Sequence, residues 1–272
     1  MIRLIASDLD GTIINEHNAC DPSVAETIAH YRNCGVRFAV CSGRPIDSLT
    51  PLLEGWGLAD QADYIIGSNG GEVLETATGK RQSAYKLEPE VLRDIIDIYE
   101  PMGLISTLYD GTTLYVSRRT PGTDVVADRI GVQCIEADVR AMTVNPELKV
   151  MFIVEPSHME EAERYAASHP DPRFNAFRTA PDLLEFSHPL LAKDVGIRII
   201  GAMMHITEDE IMAFGDTTND IAMLEYVKYG VAMENGTDDA KQAAWGSAPS
   251  VNEQGFARFL KAHLTDNLEV IE

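Results

Sequence analysis

The sequence is poor in cysteine, in basic residues and in long apolar runs, and each shortage removes a class of function. Only four cysteines occur in 272 residues. At positions 20, 34, 41 and 134 they form no CxxC pair and no Cys/His ligand spacing, so neither a disulfide framework nor a zinc module is indicated. Three of them fall in helix or strand patterns, as reduced thiols of a cytoplasmic protein would. No stretch approaches the length of a membrane span, and the first apolar run stops at Asp8, too short for a signal sequence. Lysine and arginine number 22 against 43 acidic residues, a formal net charge of −21. A field of that sign repels nucleic acid and anionic membrane surfaces, and the basic residues gather into no island that would reverse it locally. Internal repeats and low-complexity segments are absent too. What remains is a chain long enough for one large or two ordinary domains, each with a real core.

The first 70 residues alternate between elements in the rhythm of parallel βαβ units. Residues 2 to 7 read as a buried strand. "CDPSVAETIAHYRNCG" reads as a helix with Asp21 as N-cap, Pro22 at its first position and Gly35 ending it, its apolar face made by Val24, Ile28 and Tyr31. "VRFAVCSGR" is a second strand running into a turn at Ser42-Gly43, with a helix starting near Pro45, and "DYIIGSNGG" a third strand closing in a glycine turn. From about residue 72 the pattern changes. "GEVLETATGKRQSAYKL" and "LISTLYDGTTLYVSR" read as antiparallel hairpins, the second turning at Asp110-Gly111. "EPEVLRDIIDIYE" has helical periodicity, and after the strand "LKVMFIVE" Ser157 and Glu160 form a capping box opening "SHMEEAERYAA". After about 187 the α/β rhythm returns through "KDVGIRIIGAMMH", "EIMAFGD", "NDIAMLEYV" and "YGVAM", with helices near 238 to 244 and 254 to 262. The expected organisation is therefore α/β: a Rossmann-like, doubly wound parallel sheet core from residues 1–82 and 187–272, interrupted by an α+β domain over 83–186.

The chemistry concentrates where strands end. "SDLDGT" closes the first strand with Asp8 and Asp10, two residues apart and so on one face of an extended chain, where their charges would repel. An EF-hand loop begun at Asp8 fails, because the glycine position falls on Ile13 and the terminal glutamate position on Ala19. "ATGKR" is no phosphate loop, since its upstream glycine position is Leu74. A plain Asp-Gly turn is an adequate account of the first segment alone. It does not account for "AFGDTTND", a second buried strand ending in acids, Asp216 and Asp220 with Asn219 between them. Two strand ends offering hard oxygen ligands suit Mg²⁺. Ser42 with Gly43 at another strand end can donate to a phosphate, and Lys193 in "LAKDVG" can supply a point charge to its oxygens. Arg44 and Asn69 also lie at strand ends, although Asn-Gly is more often only a turn.

The order "DLDGT", "SGR", Lys193 and "GDTTND" resembles the haloacid dehalogenase superfamily of phosphotransferases. The insertion resembles its C2B-type cap, as in the Cof-type sugar phosphatases. The resemblance spans essentially the whole chain and includes "GVAMENGTDDAKQAA". Two departures stand out: "KDVG" in place of a Lys-Gly pairing, and Thr217 where a small residue is usual. The resemblance implies that Asp8 is the nucleophile taking the phosphoryl group. It also implies that Asp10 protonates the leaving alcohol and then deprotonates water, while its main-chain carbonyl binds the metal. Ser42, Gly43 and Lys193 would hold phosphoryl oxygens, and Asn219 would orient the phosphate or Lys193. Asp8, Asp10 and Asp216 would surround Mg²⁺, with Asp220 either binding it or supporting a ligand. The implied activity is Mg²⁺-dependent hydrolysis of a small phosphate ester, with sugar phosphates the expected class, by a cytoplasmic monomer or homodimer that engages neither nucleic acid nor membrane. A phosphosugar mutase and a phospho-accepting switch are the alternatives.

Overall fold

The computed structural model describes residues 1–271. It contains two compact units, one built from Met1–Ser83 together with the chain from Ala192 onward, the other from Ala84–Leu191. The chain first lays down β1 (Leu4–Asp8), β2 (Arg37–Cys41), β3 (Tyr64–Gly67), β4 (Glu72–Glu75) and β5 (Lys80–Ser83). The inserted unit holds β6 (Ile105–Asp110), β7 (Thr113–Val116), β8 (Gln133–Glu136), β9 (Lys149–Ile153), β10 (Asn175–Ala180) and β11 (Leu183–Ser187). The return adds β12 (Ile211–Gly215), β13 (Tyr229–Met233) and β14 (Gly246–Ala248).

In the discontinuous unit the strand order is β14-β13-β12-β1-β2-β3-β4-β5. Neighbours are parallel from β14 through β3, and the β4–β5 hairpin closes one edge antiparallel. β1 therefore lies inside the sheet, at the point where the chain winds one way to β2 and β3 and returns on the other side at β12. That is where an open α/β sheet forms a crevice beyond its strand ends. Alternation along each strand divides the core between the two faces. Ile5, Phe38, Val40, Ile65, Met212 and Phe214 pack under helices Pro22–Asn33, Ile46–Gly55 and Gly255–His263. Leu4, Ala6, Ala39, Cys41, Ile66 and Ala213 pack under helix Lys193–Met204. The first helix begins as the sequence indicates: the Asp21 side chain accepts from the Ser23 N–H, Pro22 is its first residue, and Gly35 follows with φ +105°.

The inserted unit is a six-stranded sheet ordered β10-β11-β9-β6-β7-β8, antiparallel except where β7 meets β8. Helices Pro89–Tyr99 and Met159–Ser168 cover one face through Leu92, Ile96, Tyr99 and Met159, against Phe152 and Phe186. Helix Pro121–Ile130 covers part of the other through Val126 and Ala127, against Ile105, Leu114 and Val116. The expected capping box is not formed. A 3₁₀ turn over Pro156–His158 draws Ser157 into the first winding, and the helix starts at Met159 behind His158, which makes no side-chain cap. Helix Pro121–Ile130, with a genuine capping box at Thr120 and Thr123, and strands β8, β10, β11 and β14 have no counterpart among the sequence expectations. Among the described residues no helix is long and apolar enough to cross a membrane.

Candidate active site

Parity along β1 places Asp8 on the face of Leu4 and Ala6, the face that helix Lys193–Met204 covers with Ile197 and Ile200. Lys193 stands one turn before Ile197, so the helix that packs on this face also brings its first side chain to the end of β1. The approach is close because position 196 is glycine: a Cβ there would fall 2.4 Å from Cγ2 of Ile66 on β3. Lys193 Nζ donates to Asp8 Oδ1 at 2.5 Å and to Asp220 Oδ1 at 2.6 Å, and the lysine side chain is fully buried. That burial has no signal in the sequence, since a lysine at a helix start is ordinarily solvated.

β12 lies beside β1, in the register Ser7 to Phe214, which brings the acids after Gly215 next to Asp8. Asp220 is fully buried and both its oxygens are engaged. Oδ1 takes Lys193, and Oδ2 accepts from the N–H groups of Asp216 and Thr217, each at 3.0 Å. Asp216 is buried and accepts from the Thr12 hydroxyl at 3.2 Å. Gly11, with φ +86°, makes room for it, because a Cβ there would lie 2.2 Å from Asp216 Oδ2. Asn235 fastens the same loop by donating from Nδ2 to the Gly11 carbonyl at 2.8 Å. Neither Thr12 nor Asn235 was singled out from the sequence; each acts through a contact more than 200 residues away in the chain.

The expectation that Asp8 and Asp10 lie side by side on a strand is corrected here. β1 ends at Asp8, the chain turns, and the exposed Asp10 carboxylate meets Arg44 Nη2, 3.2 Å from each oxygen. The two acids thus have separate counter-charges. Ser42 is buried at the end of β2; its hydroxyl oxygen accepts from the Arg44 N–H at 3.2 Å and its carbonyl from the Asn69 N–H at 3.0 Å. Gly43 faces Asn69, whose Oδ1 is buried with no hydrogen-bond partner among the described residues. Gly70, with φ +98°, closes this loop against the Ala192 carbonyl. Asn219 is exposed, and its Oδ1 accepts from the Thr217 hydroxyl at 2.5 Å. Asp8, Ser42, Gly43, Lys193, Asp216 and Asp220 come together at the strand ends; Asp10 and Asn219 stand toward solvent.

Burial pushes the Asp8 carboxyl up to about 7, Lys193 opposing the rise and Asp220 and Asp216 adding to it. Burial, then Asp220, pushes Asp216 up to about 6. Burial alone would discharge Lys193, but Asp8 and Asp220 hold it firmly charged. One ammonium thus faces three buried carboxylates whose oxygens lie within 4.8 Å of one another. An all-oxygen donor set with surplus negative charge fits a hard divalent cation.

The family model described as haloacid dehalogenase-like hydrolase matches residues 5–260. The chain belongs to that family. A putative phosphatase of Bacillus subtilis (strain 168), YxeH, is 28% identical over 261 residues, covering 94% of this chain and 96% of its own. Among solved structures, TM0651 from Thermotoga maritima superposes with a TM-score of 0.86 at 24% identity, covering 97% of this chain and 98% of that one. The subclass IIB sugar phosphatase BT4131 does so with 0.80 at 20%, covering 96% and 98%. The fold is therefore that of the Cof-type haloacid dehalogenase-like proteins, and the chain is an enzyme of phosphatase type, in a family that generally works with a divalent metal.

Proposed function

We propose that this haloacid dehalogenase-like enzyme is a Mg²⁺-dependent phosphatase of small phosphomonoesters, with sugar phosphates as the favoured class, working through an aspartyl phosphate. The observation that carries the proposal is the Asp8 carboxylate at the end of β1, held by a lysine that is itself buried and fixed by Asp220. In the first step an Asp8 oxygen attacks phosphorus, the ester bond breaks and Asp10 gives its proton to the leaving alkoxide. In the second, Asp10 takes a proton from water, whose oxygen attacks the same phosphorus, and inorganic phosphate leaves with Asp8 restored. Arg44, paired with both Asp10 oxygens, stabilises the ionised form that Asp10 takes after the first transfer and uses as a base in the second. Lys193, Ser42 and Gly43 bind the phosphoryl oxygens, and Asn219 orients the phosphate from the rim. Asp8, Asp216 and the Asp10 main-chain carbonyl would hold Mg²⁺, with Asp220 supporting the site through Lys193 and the 216–217 backbone. When bound, Mg²⁺ supplies positive charge that lets a phosphate dianion approach carboxylates. Positioning and charge are most of phosphoryl-transfer catalysis. The inserted unit is assigned the part of a cap that selects the alcohol portion and excludes water, in a cytoplasmic enzyme.

The test is phosphate release over a panel of sugar phosphates, nucleotides and pyridoxal phosphate. Asp8→Asn should abolish turnover with the fold intact, and Asp10→Asn should lower it by about 10² to 10⁴ fold. Activity should vanish with a chelator and return with Mg²⁺ but poorly with Ca²⁺. Near-normal release by Asp8→Asn, or full activity without metal, would overturn the assignment. Isomerisation of a hexose phosphate without release would identify a mutase.

A further inference from the structure

On the far side of the sheet from Lys193, three side chains of different donor chemistry converge. His30 and Cys34 stand one turn apart at the C-terminal end of helix Pro22–Asn33, with Cys34 as its last cap. Asp266 joins them from the turn that follows helix Gly255–His263, its Oδ1 2.8 Å from His30 Nε2. A ring nitrogen, the thiol sulfur and a carboxylate oxygen all lie within 4.8 Å of one another. We infer that His30, Cys34 and Asp266 form a binding site for a divalent cation of the zinc class, separate from the aspartate cluster.

The donor set decides the class. Mg²⁺ takes oxygen ligands, whereas Zn²⁺ accepts Cys sulfur, His nitrogen and Asp oxygen together at about 2.0 to 2.3 Å in tetrahedral geometry. Three protein donors leave the fourth position to water. Ligands of one tetrahedral ion sit about 3 to 4 Å apart by those bond lengths, so rotamer adjustments of half-exposed or exposed side chains suffice to close on the metal. His30 would exchange its bond to Asp266 for a shared ion.

The scaffold is fixed on both sides. The turn carrying Asp266 is closed by Thr265 N–H to the Glu269 carbonyl at 3.0 Å and Leu268 N–H to the Thr265 carbonyl at 2.8 Å. It is fastened to the start of the chain by Ile2 N–H to the Leu268 carbonyl at 2.7 Å. Between His30 and Cys34, the Tyr31 hydroxyl donates to the carbonyls of Leu260 and Leu264 at 2.9 and 2.8 Å, which locks the helix to that same C-terminal segment. A helix C-terminus also carries partial negative charge that favours a cation. On binding, the thiol proton passes to solvent and the thiolate ligates the metal. A bound ion would staple the C-terminal turn to the first helix. The spacing from His30 to Cys34 carries no signal alone in the sequence, because its third ligand is supplied from the other end of the chain.

The test uses the metal-free full chain in a phosphine reductant, with Mg²⁺ in excess to compete at Asp8 and Asp216. Titration with Co²⁺ should give one equivalent of a thiolate-to-metal charge-transfer absorption, discharged by Zn²⁺. The absorption should disappear in Cys34→Ser and persist in Cys20→Ser and Cys134→Ser. Calorimetry should show Zn²⁺ affinity lowered by at least about tenfold in His30→Gln and Asp266→Asn, with circular dichroism unchanged. A charge-transfer band surviving in Cys34→Ser, no band at all, or equal Zn²⁺ affinity in His30→Gln would overturn the inference and leave His30 and Asp266 as a simple surface pair.

Discussion

Replacing Asp216 by Asn should stabilise the metal-free protein while impairing its function. Asp216 is 7% exposed, and burial together with Asp220 raises it from the ordinary 3.8 to about 6. A carboxyl whose folded value lies above its unfolded value binds its proton more tightly when folded, so ionisation opposes folding. The penalty is absent below about 3.8, grows between about pH 4 and 6, and is complete above; the rise from 3.8 to about 6 amounts to about 3 kcal/mol. At pH 5 about half of it has developed. Asn preserves the shape and an oxygen to accept from Thr12 but carries no charge. Thermal unfolding in a chelator at pH 7.5 should therefore show the variant melting about 6 °C or more above the wild type. At pH 5 the gap should shrink by about half. Saturating Mg²⁺ should raise the wild type and leave the variant nearly unmoved. If the metal-free variant melted at or below the wild type at pH 7.5, or the gap were independent of pH, the buried acids would not be in electrostatic conflict.

Three further outcomes are expected. Lys193→Met removes the ammonium shared by Asp8 and Asp220, so phosphate release should fall for every ester alike and stability in urea should drop by about 3 kcal/mol or more; unchanged stability would contradict its role as counter-charge. Asp63 is a buried carboxylate accepting from Arg32, Arg37 and the Phe38 N–H. Burial would raise its pKa, but these bonds hold it below the ordinary value. Its stabilisation is therefore complete above about 3.8 and lost as the pH falls through the lower folded value. Asp63→Ala should cost about 2 to 4 kcal/mol at neutral pH, and urea midpoints of wild type and variant should converge in acid. Gly196→Ala gains helix propensity of about 1 kcal/mol but meets Ile66. It should be net destabilising, by about 1 to 3 kcal/mol, and Ile66→Val in the same chain should recover part of the loss; no recovery would place the strain elsewhere.

The sequence alone determined the features whose causes are local. Alternation and helical periodicity marked β1, β2, β3, β12 and β13, and the Asp21-Pro22 start and Gly35 stop of the first helix depend only on neighbouring residues. Acids placed directly after apolar runs marked where ligand chemistry would gather. The capping box at Ser157 failed for a local reason too, since the 3₁₀ turn begun at Pro156 offers the same residues another winding. Strands β8, β10, β11 and β14 are short or lie where pairing with neighbours, more than composition, makes the strand. Tertiary structure alone decided which acid meets which base. Lys193 reaches Asp8 across 185 residues because strand parity and helix packing share one face. Asp10 turns to Arg44 because β1 has already ended. Asp266 comes to His30 and Cys34 because two helices pack side by side on the opposite face. Long-range contacts like these follow from how elements stack, and no window of sequence contains both partners.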